Sequence, residues 1–236
     1  MAFEATPIFQ TFDQKTTKMR ILLLGATGRT GTHLLGEALK RGYELNILVR
    51  DKTKVANENS HLTIFEGSTL DRTILNAAMK GCEAIVSALN VSRKSDWPWA
   101  GLRSPKDLLS ATIKNIIELA PNHQLQRVIV ISAWGVAETN KDIPGWFRWT
   151  IDHSNIRYPY LDHERQEELL KQSSLDYTAV RAAGLINSKM KKEVIVSINN
   201  DPKPRLMISR NNLANFMLEI LEKGLYKKKM VVVSGK

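Results

Sequence analysis

Apolar residues along this chain fall into two alternating patterns. Ile21 to Leu24 is an unbroken apolar run, which suits a strand buried on both faces of a parallel sheet. Behind it Leu34, Leu35, Ala38 and Leu39 recur at helical spacing, Gly42 supplies a stop, and Leu45 to Val49 is a second apolar run. A strand, a turn, a helix and a strand in about 30 residues have the size of one βαβ unit. The alternation continues. Leu62 to Phe65, closed by Gly67, predicts a third strand, Asp71 to Met79 a short helix, and Ala84 to Ala88 a fourth strand. Pro105 to Leu119 predicts a helix with Leu108, Leu109, Ile113, Ile116 and Ile117 on its apolar face, and Val128 to Ile131 a fifth strand. Asp162 to Lys171 predicts a helix and Tyr177 to Val180 a sixth strand. Such alternation with short connections predicts an α/β fold, a doubly wound parallel sheet with helices on both faces.

After Arg181 the pattern changes. Glu193 to Ile198 alternates like a strand, Asn199 to Pro202 is a turn signal, and Arg205 to Ile208 is expected to pair back as a small substrate-side hairpin. Ser209 is placed to cap a helix carrying Leu213, Phe216, Met217, Ile220 and Leu221. Met230 to Val233 is expected to close the sheet. One domain over residues 19–236 is the expectation, with 1–18 a poorly ordered extension; Met19, directly before the first strand, is a candidate start.

The first turn carries the candidate chemistry. Gly25, Gly28 and Gly31 follow the first strand at spacing three. Glycines there allow a sharp bend and let a pyrophosphate approach the amides at a helix N-terminus, where free N–H groups and the helix dipole favour an anion. A glycine motif between a buried strand and an amphipathic helix is a strong dinucleotide signal. Arg50 ends the second strand. An acidic residue there suits the ribose 2′-hydroxyl of NAD, whereas an arginine suits the extra phosphate of NADP, so NADP(H) is expected over NAD(H). Asp51 leaves a ribose contact open if the register slips by one residue.

Composition narrows the setting. Of 236 residues 43% are hydrophobic and 25% charged, ordinary for a globular protein, while the net charge of +10 raises the question of nucleic acid. The basic residues are scattered, with short clusters at Lys227 to Lys229 and at Lys189, Lys191 and Lys192. They read as a solvated surface that attracts an anionic cofactor, with no nucleic-acid partner expected. Cys82 is the only cysteine, which excludes an internal disulfide and fits a reducing cytoplasm; beside Gly81 it reads as a small buried residue. No run approaches the ~18 apolar residues of a membrane span, and the first residues do not read as a signal peptide. No metal site is expected, because the histidines lack partners at ligand spacing.

With Gly25-Ala-Thr-Gly28-Arg-Thr-Gly31, Leu48-Val-Arg50-Asp, Ser132-Ala and Leu175-Asp-Tyr-Thr-Ala-Val-Arg181, residues 19–236 resemble the atypical short-chain dehydrogenase/reductases. Within these they look most like the NAD(P)H-binding subgroup of biliverdin reductase B (flavin reductase) and NmrA-like proteins, and Arg205-Leu-Met-Ile-Ser-Arg is the more specific segment. The resemblance implies a Rossmann-like fold and a cofactor site. Gly25, Thr27, Gly28, Arg29, Thr30 and Gly31 would cradle the pyrophosphate, and Arg50 with Lys54 would hold the 2′-phosphate. Ser68 would lie near the adenine, Leu89 and Asn90 beside the ribose and nicotinamide, and Ser132 near the nicotinamide. The usual Tyr-x-x-x-Lys pair is missing: Pro159 stands at the tyrosine position and His163 at the lysine position. A run of Pro-Pro-His in biliverdin reductase B is here Ala182-Ala183-Gly184.

A ketone needs a positioned acid to receive the alkoxide, whereas a conjugated acceptor spreads the charge and takes its proton from solvent or a weak acid. The expected reaction is therefore hydride transfer from NADPH to a planar acceptor of flavin, quinone or tetrapyrrole type, with Ser132 and His163 as positioning residues. All five tryptophans lie in or after loops at the predicted ligand edge. Trp97, Trp99 and Trp134 are expected to stack on the acceptor; Trp146, Phe147 and Trp149 read equally as one face of a lid helix. A non-catalytic NADP-binding sensor of NmrA-like type and a nicotinamide-dependent isomerase or epimerase are the alternatives. A monomer or weak homodimer without membrane association is expected.

Overall fold

The computed structural model describes residues 19–55, 59–188 and 193–236. The expected extension at 1–18 and the cluster at Lys189, Lys191 and Lys192 lie outside the described residues.

The elements follow in chain order. β1 (Arg20–Leu24), α1 (Gly31–Lys40), β2 (Glu44–Val49), β3 (Leu62–Glu66), α2 (Arg72–Met79), β4 (Ala84–Ser87), α3 (Leu108–Leu119) and β5 (Arg127–Ala133) form the first half. α4 (Gly145–Asp152), α5 (Arg157–Gln172), β6 (Asp176–Ala182), β7 (Gly184–Ile186), β8 (Val194–Ser197), β9 (Met207–Ser209), α6 (Arg210–Glu222) and β10 (Lys229–Gly235) form the second. The main sheet has eight strands in the order β3-β2-β1-β4-β5-β6-β10-β8. Its pairings are parallel except that of β8, which runs antiparallel along β10.

The apolar run of β1 has a direct physical reading. Ile21 and Leu23 feed one core, with Leu34 and Ala38 of α1 and Leu213 and Met217 of α6. Leu22 and Leu24 feed the other, with Leu75 of α2, Ile113 of α3 and Leu170 of α5. A strand between two helical layers must be apolar at every position. Burying each leucine contributes about 1.5–3 kcal/mol. Asn46 in β2 is a buried polar exception; its amide donates to Ala78 O at 2.8 Å and reaches Cys82 Sγ at 3.4 Å. Cys82 is buried, and that burial pushes its thiol up to about 12.

Some boundaries differ from the sequence expectation. α3 starts at Leu108 rather than Pro105 because Asp162 of α5 accepts hydrogen bonds from Leu109 N at 2.7 Å and Ser110 N at 3.2 Å. α5 starts at Arg157, and its Pro159 falls in the first turn, where no intrahelical N–H is missed. The expected hairpin does not form. β8 pairs with β10, which leaves β8 as the closing strand, and β9 pairs in parallel with β7 in a separate two-stranded sheet. The turn at Asn199 and Asn200 is there, with positive φ at both, but the two arms go to different partners. Among the described residues no helix is long and apolar enough to cross a membrane.

A buried ion network fixes α5 to the sheet. Arg181 in β6 is 2% exposed, and its Nε and Nη2 donate to Glu167 at 3.0 and 2.7 Å while Nη1 and Nη2 reach Glu138. Burial opposes the charge, but the two carboxylates outweigh it and hold the guanidinium above its ordinary range.

Candidate functional site

The turn after β1 is built from close backbone contact. Gly25 has φ of +77°, and a Cβ there would lie 2.9 Å from the carbonyl carbon and oxygen of Ala88. At Gly31 a Cβ would lie 1.9 Å from Gly25 O, so the helix can start here only without a side chain. Gly28 differs: its N–H donates to Gly25 O at 2.9 Å, and an added Cβ would meet only that oxygen, at 3.2 Å. Thr30 at the N-cap of α1 makes no side-chain cap, and no acidic residue lies in the first turn. Thr32 N donates to Gly28 O at 2.9 Å and His33 N to Thr30 O at 3.1 Å. What is offered to an anion is therefore the positive dipole end of the helix and the amides of Arg29, Thr30 and Gly31, which meet no acceptor among the described residues. Leu89 and Asn90 follow β4 and adjoin this turn; an added Gly25 Cβ would lie 3.0 Å from Leu89 N.

At the end of β2, Arg50 is exposed and forms no ion pair among the described residues. Asp51 is already engaged. It accepts from Thr53 N at 3.1 Å and Thr53 Oγ1 at 2.5 Å and lies 3.2 Å from Lys54 Nζ, and these contacts hold its carboxyl below the usual range. Asp51 caps its own turn, and Arg50 is the free charge at this strand end. Lys54 is near but bound to Asp51. Ser68 follows β3 and accepts from Leu70 N at 3.1 Å, leaving its hydroxyl proton available.

Arg29 has a protein partner. It makes a two-pronged pair with Asp96, both bonds at 2.8 Å, which holds Asp96 below its usual range. Asp96 belongs to the loop between β4 and α3, and Arg93 and Arg210 add positive charge around it. The same loop carries Trp97 and Trp99, whose ring centroids are 5.3 Å apart. Trp99 Nε1 donates to His153 O at 2.9 Å and Asn155 Nδ2 donates to Trp99 O at 2.8 Å. The loop is therefore tied to the glycine turn at one point and to the α4–α5 junction at another. Trp146 and Trp149 on α4 are exposed, and Trp149 stacks on His153 at 4.8 Å.

At the end of β5, Ser132 is buried and its Oγ has no hydrogen-bond partner among the described residues. His163 on α5 is 2% exposed, and burial lowers its imidazole to about 4, so it is neutral at pH 7. Its polar neighbour is Gln166, 3.5 Å away, which donates to Ile131 O at 3.2 Å. No hydrogen bond joins Ser132 to His163 among the described residues. Pro159 is buried on the same helix. Tyr160, one position on, packs edge-on against Phe147, and its hydroxyl donates to Trp134 O at 3.3 Å. Burial raises that phenol above its ordinary range.

Beyond Ser132 lies a cavity of about 750 Å³. Trp134, Ile143, Pro144, Ile186, Leu206 and Met207 supply its apolar wall. Of the three tryptophans expected to meet an acceptor, only Trp134 lines it; Trp97 and Trp99 belong to the tied loop instead. Trp134 is 6% exposed, and its Nε1 has no partner among the described residues.

Residues 25–224 match the model of a family described as NAD(P)H-binding. The chain belongs to the NAD(P)H-binding family. An oxidoreductase, nsrR, from Aspergillus novofumigatus is 28% identical over 160 residues, 63% of this chain and 58% of that protein. The photosystem II assembly factor Ycf39 of Synechocystis is 23% identical over 92% of this chain and 63% of its own length. The chain spans little more than half the length of the first such relatives it matches. A short-chain dehydrogenase/reductase from Veillonella parvula, solved in complex with NADP, shares the fold with a TM-score of 0.76 at 19% identity, over 92% of this chain and 94% of that one. The anaerobilin reductase ChuY from Escherichia coli O157:H7 gives 0.75 at 16% identity, over 92% and 97%.

The described site fits the cofactor of this NAD(P)H-binding family at three points. The turn into α1 leaves the amides of Arg29, Thr30 and Gly31 without acceptors among the described residues, Arg50 is free, and the Ser132 hydroxyl is buried without a partner. Sequence reasoning missed Asp96, Arg93 and Arg210. Nothing local marks them, since the Arg29–Asp96 pair spans 67 positions. Tyr160, one position from the place where a family tyrosine is sought, is followed four residues later by Glu164 and not by a lysine.

Proposed function

We propose that the chain is an NADPH-dependent oxidoreductase that passes hydride to a conjugated, planar acceptor of flavin, quinone or tetrapyrrole type. The observation that carries this reading is the environment of α5. The residue at the tyrosine position is a buried proline, the next phenol is turned onto a backbone carbonyl, and His163 is neutral and buried. None of these is disposed to protonate an alkoxide, whereas a conjugated acceptor delocalises the charge and needs no positioned acid. The oxidoreductase names of the fungal relatives support the same class.

When bound, a reduced nicotinamide supplies the hydride. The rest is the chain's contribution. The amides of Arg29, Thr30 and Gly31 would receive the pyrophosphate, and Arg50 would pair with the 2′-phosphate. Arg29 would add its charge once released from Asp96. Ser132 would offer its unpaired hydroxyl to the cofactor's polar end, and buried Gln166 steadies that end of β5 through Ile131 O. Holding two rings in reacting geometry is the main catalytic act.

The test is NADPH oxidation, followed by the loss of the reduced nicotinamide's absorbance, against flavins, quinones, biliverdin and simple ketones. Turnover is expected with the conjugated acceptors. Turnover confined to simple ketones would overturn the reading. Ser132→Ala and His163→Ala should each cost less than the ~10²–10⁴-fold of a lost general acid. The similarity to an assembly factor favours one second reading, an NADP-binding sensor; its signature is tight binding with no turnover on any acceptor.

A further inference from the structure

We infer that the cavity beyond Ser132 is the acceptor site, and that it selects ligands combining an apolar ring body, a hydrogen-bond-accepting oxygen on that body and a negative charge at the outer end. The choice of acceptor rests on the reductase reading above; the site itself rests on four features of the structure.

The first is the Trp134 indole. It lines the cavity, is 6% exposed, and carries a buried N–H that meets no acceptor among the described residues. A buried donor left unpaired is unfavourable, so such groups in native structures call for a partner. The N–H is closed to solvent in this structure, so a carbonyl or similar oxygen on a ligand pairs with it by turning the indole toward the cavity. The second is the wall. Ile186 on β7, Leu206 just before β9 and Met207 on β9 stand 41%, 51% and 51% exposed, a concentration of open apolar side chains at the small two-stranded sheet. A ring body lying in the cavity covers them.

The third feature is charge. Lys203 and Arg205 line the cavity, are exposed, and form no ion pair among the described residues. Lys236, also in the lining, is spoken for by Glu193 at 2.7 Å. Asp142 is the one carboxylate side chain in the lining. Two free cations thus face one anion, and an anionic ligand end is the complement. The fourth is position. The floor begins two residues after Ser132, at the carboxyl ends of β5, β6 and β10, and the cavity shares no lining residue with the glycine turn. A ligand here stands beside the cofactor crevice, where open α/β sheets take their second ligand, and about 750 Å³ suits a small organic molecule.

The test uses riboflavin and FMN, which share a ring with carbonyl oxygens and differ by one phosphate. Both are titrated by flavin fluorescence into the full chain at low ionic strength, with and without saturating NADP⁺. FMN is expected to bind roughly tenfold more tightly than riboflavin. Lys203→Gln with Arg205→Gln, both at exposed positions, should bring FMN down to the riboflavin level and leave riboflavin unchanged. Trp134→Phe removes the N–H and keeps a ring, and should weaken both flavins by roughly 5- to 100-fold. Its thermal midpoint should hold or rise, because an unpaired buried donor has been replaced by an apolar group. A loss of affinity without loss of stability separates a ligand role from a packing role.

Equal affinity for the two flavins would overturn the charge selection. Unchanged affinity in Trp134→Phe would overturn the role of the indole. Displacement of FMN by NADP⁺ would put the flavin in the cofactor crevice and overturn the site. If the variants behave as expected but NADPH is never oxidised, the reductase reading fails and the site stands. If NADPH is oxidised while the KM for FMN is the same in all variants, the site fails and the reductase reading stands.

Discussion

The two halves of the ligand edge are made of different material. Around β1 and α1 the surface is backbone: glycines packed so closely that a single methyl at Gly31 would sit 1.9 Å from a carbonyl oxygen, with the unpaired amides of Arg29, Thr30 and Gly31 in the turn itself. Around β5 and the β7–β9 pair the surface is side chain: an indole just after β5, aliphatic groups on and beside two three-residue strands, and two unpaired cations in the loop before β9. A backbone surface recognises what all dinucleotides share and tolerates almost no change. A side-chain surface recognises one class of partner and can be rewritten without disturbing the sheet. On the reading proposed above, the glycine turn is the constrained half, and the cavity is the half whose side chains can set specificity.

The largest expected effect comes from two glycines three apart. Gly28→Val should stay folded, since its added Cβ meets only Gly25 O at 3.2 Å, yet it should abolish NADPH binding by blocking the approach to the amides. Gly31→Ala should instead damage the fold, by roughly 3 kcal/mol or more, because backbone must move. Calorimetric titration and thermal melting separate the two, and a melting temperature of Gly31→Ala equal to that of the parent would break the backbone half of the comparison.

The next effect lies on the side-chain half. Burial lowers His163 to about 4 in the folded chain, against about 6.5 when unfolded. Above pH ~6.5 both states are neutral and the full stability is present. As pH falls from there towards 4 the unfolded chain takes up a proton that the folded one refuses, so stability drops by roughly 1.4 kcal/mol per unit, on the order of 3 kcal/mol in all. His163→Phe should flatten that slope in denaturant titrations between pH 7 and 4; an unchanged slope would mean the imidazole is not held neutral.

Smaller still is the charge at β2. Arg50→Ala should weaken NADPH roughly 10- to 150-fold, the loss of one charge-assisted pair of about 1.5–3 kcal/mol, and leave NADH nearly untouched. Equal affinities of the parent for NADPH and NADH would remove this arginine from the site. The smallest effect concerns Arg29. Asp96→Asn should free it from an exposed ion pair and tighten NADPH about two- to fivefold at low salt, with the gain fading as salt is raised. Weaker binding would mean that the loop, rather than the guanidinium, is what the cofactor needs.

Local physics made much of this readable from the residues. Ile21 to Leu24 announces a central strand because both faces of β1 are covered, and Asp71 and Ser209 announce helix starts because each caps its own first turn. Arg50 falls where the register of β2 puts it. What stayed hidden is set by partners far along the chain. α3 begins where Asp162 of α5 receives its amides, β8 and β9 part company because β10 and β7 offer them different edges, and Trp99 is claimed by His153 and Asn155 while Trp97 packs on Trp99. Trp134 was identifiable as an aromatic after β5, but its orphaned N–H emerges only once the cavity is assembled.

Cys82 has a practical use. Buried under α2, with its thiol pushed up to about 12, it exposes almost no thiolate to a maleimide or iodoacetamide at neutral pH. The native chain can thus serve as its own silent background for site-directed labelling. A cysteine introduced at exposed Lys141, next to Asp142 of the cavity lining, or beside Trp97 would be the sole reactive handle, and a dye there would report ligand arrival at the cavity or movement of the tied loop in real time.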